Sequence, residues 1–189
     1  MIIVKTRDSA FNWFVYHKHV ASDAETDYLK LNETSAAADL NTAWNDTAPT
    51  SSVFSVGTDG SANENGDDMI AYCFAPVSGY SQFGEYAANG NAEGPFVYTG
   101  FAVSWLMTKR SDGTGRWEIH DYKRPGYNPQ DDYLRADTNA AETSGADCDF
   151  LSNGFKIRNT LSGQNASGGN FIYAAFSENP FQANGGLAR

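Results

Sequence analysis

Five groups of residues in this chain have the types and spacing to do chemistry. Glu118-Ile119-His120-Asp121 reads as a strand with polar side chains at alternate positions. A retaining glycosidase needs two carboxyls about 5–5.5 Å apart across the scissile bond, which acids two apart on one strand can supply. Here His120 takes the second position and Asp121 turns to the opposite face. The pair is missing, so no catalytic residue is expected and a carbohydrate-active enzyme is the last of three alternatives. His17 and His19 share one strand face, and Asp23 or Glu25 could add a carboxylate to make a metal site. The competing assignment is a polar strand end facing solvent, and it is the one favoured. Three acidic turns offer oxygen ligands suited to calcium: Glu64-Asn65-Gly66-Asp67-Asp68, Gln130-Asp131-Asp132 and Asp147-Cys148-Asp149. Solvated turn acids are the competing explanation, and the favoured one. Trp44 lies in a loop beside Asn45, Asp46 and Thr47, where an exposed ring could stack on a sugar while its neighbours bond the hydroxyls. Tyr127-Asn128 is a second, similar candidate; packing of Trp44 over the sandwich end is the alternative to weigh.

The elements that must position these residues come from a repeat. Residues 1–20 fall on residues 105–124 at a constant offset of 104: Lys5 on Lys109, Asp8 on Asp112, Trp13 on Trp117, Val15 on Ile119. His17 falls on Asp121. With small shifts, Asp27-Tyr28-Leu29-Lys30 falls on Asp132-Tyr133-Leu134-Arg135, Asn63 on Asn165, and the apolar run from Met69 on that from Phe171. An internal duplication with a period of about 100 residues is more specific than any short motif here. It divides the chain into a first repeat at 1–76, connecting strands at 77–104, a second repeat at 105–181 and a tail at 182–189.

Strands are expected at 1–7, 11–18, 27–32, 52–57, 69–75, 80–86, 95–103, 132–136, 154–159 and 171–177, with a hairpin at 105–124 and a helical turn within 36–43. Alternation puts Trp13, Val15 and His17 on one face of the first hairpin and Phe14, Tyr16 and Lys18 on the other. Because both faces are apolar, this hairpin should be covered on both sides. The second carries Glu118, His120 and Tyr122 opposite Trp117 and Ile119, so it should be half exposed. Many short strands with closely spaced turns predict an all-β, antiparallel β-sandwich.

Composition agrees. There are 18 glycines and 14% aromatics in 189 residues, a mixture that favours strands and tight turns. A formal charge of −10 and the lack of a basic stripe speak against a nucleic-acid partner. No apolar run is long enough for membrane insertion as a helix, and the first 20 residues lack the apolar core of a signal peptide. Cys73 aligns with Ala175 inside an apolar strand, so a free, buried thiol is expected there.

The runs PTSSVFSVG, MIAYCFAPVSGYSQFGEY, NGNAEGPFVYTGF, FLSNGFKIRN and NASGGNFIYAAFSENPF resemble a domain of marine bacteriophage virion proteins, often found at the C-terminal end of tail fibres. The resemblance covers nearly the whole chain. It implies a concanavalin A or laminin-G type jelly roll, a place in the virion, and a non-enzymatic structural or adhesive role. The implied partners are a host-surface glycan or other virion subunits, and a homo-oligomer is compatible with it. A scaffold or subunit-interface module without ligand is the second alternative. Members of the family usually continue upstream of the position matching Met1, so a fragment boundary there is expected.

Overall fold

The computed structural model describes residues 1–179; Pro180, Phe181 and the tail expected at 182–189 lie outside the described residues. The chain is all-β with antiparallel sheets. In order it forms β1 (Ile2–Thr6), β2 (Phe14–Tyr16), β3 (Asp27–Lys30), β4 (Ala38–Asp39), the short helices α1 (Asn41–Trp44) and α2 (Gly60–Asn63), then β5 (Met69–Cys73). It continues with β6 (Ser81–Ala87), β7 (Phe96–Tyr98), β8 (Trp105–Arg110), β9 (Trp117–Asp121), β10 (Tyr133–Arg135), β11 (Cys148–Leu151), β12 (Gly154–Ile157), α3 (Ser162–Asn165) and β13 (Asn170–Phe176). Among the described residues three sheets result, ordered β4-β3-β2-β1-β5, β10-β9-β8-β13-β6 and β11-β12-β7.

The first two sheets share one core. Ile3, Val15 and Leu29 of the first meet Met107, Trp117, Ile172 and Ala174 of the second. The other face of the second sheet presents Leu106, Phe171, Tyr173 and Ala175, and these pack on Val97, Phe155 and Ile157 of the third. The second sheet is therefore buried on both sides. That overturns the expectation of a half-exposed second hairpin: Glu118 and His120 lie in the interior, where α3 covers them. The first hairpin is covered on both faces, as its apolar alternation requires. Phe14 and Tyr16 lie under Trp44 and Tyr28, while Val15 faces the second sheet's core.

The strand orders β3-β2-β1-β5 and β10-β9-β8-β13 coincide, and so do their registers. Ile2 opposes Tyr16 as Leu106 opposes His120; Phe14 opposes Lys30 as Glu118 opposes Arg135; Ile2 opposes Cys73 as Leu106 opposes Ala175. Side chains repeat the pattern. Lys5 Nζ donates to Thr6 O as Lys109 Nζ does to Arg110 O. The N–H of Trp13 donates to Asn32 Oδ1 as that of Trp117 does to Asp137 Oδ1.

Local expectations also changed. Residues 52–57 are irregular, whereas 154–159 hold β12. Asp147-Cys148-Asp149 is no turn: it opens β11, with Cys148 fully buried. Cys73 is exposed, because among the described residues β5 is an edge strand with a neighbour on one side only. Gly154 explains the tight fit of the third sheet, since a Cβ there would sit 2.1 Å from Val97 O.

Candidate functional site

Trp44 is not a sugar platform. It ends α1, is 2% exposed, and its ring N–H donates to Asp27 O at 3.0 Å. Its ring meets Tyr16 edge-on at 5.9 Å, closing the apolar outer face of the first sheet. The packing alternative is the one realised, for a simple reason. The third sheet covers the corresponding face of the second sheet, and the first sheet needs its own lid. Asn45 and Asp46 are exposed, both with positive φ, and form the sharp turn that points the ring inward.

Tyr127 and Asn128 behave differently. Tyr127 is 74% exposed. Asn128 docks on β11 through its amide, donating to Phe150 O at 2.8 Å and accepting from Phe150 N–H at 2.9 Å. That pairing holds the Tyr127 backbone in place and leaves the ring in solvent. Beside it opens a cleft of about 310 Å³ lined by Ser104, Tyr122, Tyr127, Asn128, Gln130 and Glu178, among others. Gln130 is nearly fully buried; its Nε2 donates to Tyr127 O at 2.8 Å, and its Oε1, itself buried, has no partner among the described residues. Glu178 is held by Lys123 at 2.8 Å, and that ion pair lowers its pKa, so it stands as an acceptor. Aromatic surface, a carboxylate and a hydroxyl thus converge on one concave surface. The structure brings Tyr127 and Asn128 together with this cleft and does not bring Trp44, Asn45 and Asp46 to it.

The metal candidates separate. His17 is 1% exposed rather than at a solvated strand end. Its Nδ1 accepts from His19 N–H and its Nε2 donates to Tyr173 O at 3.1 Å, tying the first sheet to β13. Burial depresses its pKa to about 3, so it is neutral. Asp67 accepts from Thr6 Oγ1, and Asp149 lies 3.6 Å from Arg158. Among the described residues no three His, Cys, Asp or Glu side chains gather as metal ligands.

Sequence reasoning missed two features. Phe96 and Tyr98, spaced two apart on β7, are 48% and 67% exposed on the outer face of the third sheet. They were legible only as strand residues. The other is the buried polar cluster beneath α3. Asn159 Nδ2 donates to Gln164 Oε1 at 2.9 Å, and Gln164 Nε2 to His120 Nε2 at 2.8 Å. Glu118 lies beside it, 3.8 Å from Arg135, under Gly163, where any side chain would strike its carboxylate.

Residues 1–180 match a family model described as a domain of unknown function, DUF7483. No curated protein and no solved structure matches the chain.

Proposed function

The chain belongs to the DUF7483 family, and we propose that it is a non-enzymatic structural and adhesive domain of a bacteriophage virion protein, of the tail-fibre kind, that binds host-surface glycan. The observation that carries the binding role is the Tyr127 cleft. An aromatic ring 74% exposed stands at its edge, and the Glu178 carboxylate and Ser104 lie in its wall. A sugar presents an apolar C–H face to the ring and hydroxyls to Glu178 and Ser104. The virion role is supported by the resemblance of five long runs, and the strong negative charge suits solubility in a crowded particle. The inferred architecture is a concanavalin A-like jelly roll made by duplication of a unit of about 100 residues. Shared strand order, shared registers and the matched bonds of Lys5 and Lys109 support the duplication.

Glycan-array and host-cell binding by Tyr127→Ala tests the reading. Loss of the stacked ring removes about 1–2 kcal/mol, or roughly tenfold in affinity, with the melting temperature unchanged. Binding lost instead in Tyr98→Ala would move the site to the third sheet's outer face. Binding unaffected by either, or no binding by the parent, would leave the module as a scaffold without ligand.

A further inference from the structure

One strand edge is out of keeping with the rest of the molecule. Among the described residues β5 pairs with β1 alone, although its counterpart β13 is paired on both sides, by β8 and β6. Phe74 N–H bonds Met1 O and Arg7 N–H bonds Asp68 O, so the even-numbered residues turn their amides toward β1. Met69, Ala71 and Cys73 turn theirs outward, and among the described residues none of these groups is bonded. Edge strands are normally guarded by charge, proline or a bulge. Here the sequence is Met-Ile-Ala-Tyr-Cys, with Ile70 36% and Tyr72 44% exposed.

We propose that β5 is a homodimer interface, joining two copies edge to edge, antiparallel, about a two-fold axis at Ala71. The strand is complementary to itself. In this register Met69 faces Cys73 of the second copy and Ala71 faces Ala71, so every outward N–H and C=O meets a partner. A slip of one residue sets outward amides against inward ones and loses the ladder. Ile70 then lies across from Tyr72, an apolar cross-strand pair that withdraws both from water. Charge agrees with the orientation. Asp67 and Asp68 precede the strand, and Lys18 lies at its far end around the same cleft as Cys73 and Phe74. Antiparallel pairing brings the acids of one copy to the lysine end of the other, which offsets the repulsion of two acidic chains. A second copy fits better than a foreign strand because the edge supplies both halves of its own ladder. This inference does not depend on glycan binding.

Sedimentation over a concentration series tests it, with three forms of the chain. The parent should dimerise reversibly. Ala71→Pro removes an amide proton that β1 does not use, and should weaken the dimer at least tenfold while leaving the dilute monomer's circular dichroism and melting intact. Ala71→Cys in a Cys73→Ser background should oxidise to a covalent dimer, because facing residues of such a pair lie about 5.5 Å apart at Cα. A parent that stays monomeric at millimolar concentration overturns the proposal, as does a dimer of the Ala71→Cys form that fails to cross-link under oxidation. If Ala71→Pro does not fold, the cross-link decides.

Discussion

Gln164 donates through Nε2 to His120 Nε2 at 2.8 Å, and that single bond sets the charge of the interior around it. Asn159 occupies Gln164 Oε1, so the amide nitrogen must face the imidazole. His120 Nε2 therefore carries a lone pair, the proton sits on Nδ1, and the ring is neutral. Burial agrees, depressing its pKa to about 4. Two residues back on the same face, burial pushes Glu118 up to about 7, against the opposing pull of Arg135 and Arg116 and with Asp137 adding to the rise.

These shifts give opposite pH dependences. Glu118 holds its proton more tightly when folded. Its contribution is fully present below the unfolded value of 4.5 and is lost as pH rises through about 7. His120 and His17 act the other way, contributing above 6.5 and losing that as pH falls toward 4 and 3. Glu118→Gln removes the alkaline loss. Its stability relative to the parent should rise between pH 5 and pH 8 by on the order of 2 kcal/mol. Denaturant melts at the two pH values check this; an equal difference at both would mean that Glu118 titrates normally.

The tryptophans test the packing. Trp44→Ala should cost roughly 3–5 kcal/mol through a core cavity, comparable to Trp117→Ala, because the two rings are 2% and 1% exposed and each ring N–H satisfies a backbone carbonyl. Trp13→Ala should cost less, since Trp13 is only half-buried, lying 6.4 Å from Tyr72. Thermal melting of the three variants gives the order. A Trp44→Ala protein that melts like the parent would contradict its place in the core.

Much of the first two sheets was legible because the sequence match at an offset of 104 carries register: once Trp13 falls on Trp117 and Asp8 on Asp112, strand pairing in one segment is expected in the other, and the registers coincide. Alternation also separated Val15 from Phe14 and Tyr16. What alternation cannot say is which face is covered, and by what. Glu118 and His120 looked outward because their cover, α3 (Ser162–Asn165), is distant in sequence and is a short polar stretch between the strands expected at 154–159 and 171–177. Trp44 misled for the same reason. A tryptophan among Asn, Asp and Thr is typical of an exposed loop, and only the apolar underside of Phe14 and Tyr16 draws it in. Tyr127 was found as a loop aromatic beside Asn128, and the docking of Asn128 on β11 leaves its ring exposed.

The two cysteines exchange the environments that alignment suggested, and thiol chemistry can read this out. Cys73 aligns with the buried Ala175 but sits on an open edge, whereas Cys148, read as a turn residue, is fully enclosed by the third sheet's core. Reactivity follows the thiolate and its access. Burial pushes the Cys148 thiol well above its ordinary value, so it should be inert in the folded chain. A chromogenic disulfide reagent should therefore titrate one thiol per native chain at low protein concentration and two in denaturant. Cys73→Ser should abolish the fast reaction and Cys148→Ala should leave it unchanged. The rate at Cys73 should also fall as protein concentration rises, since edge pairing at β5 would cover it against Met69 of the second copy. Two fast thiols in the native chain would show that the third sheet opens readily; none would place Cys73 in the interior, as its alignment with Ala175 first implied.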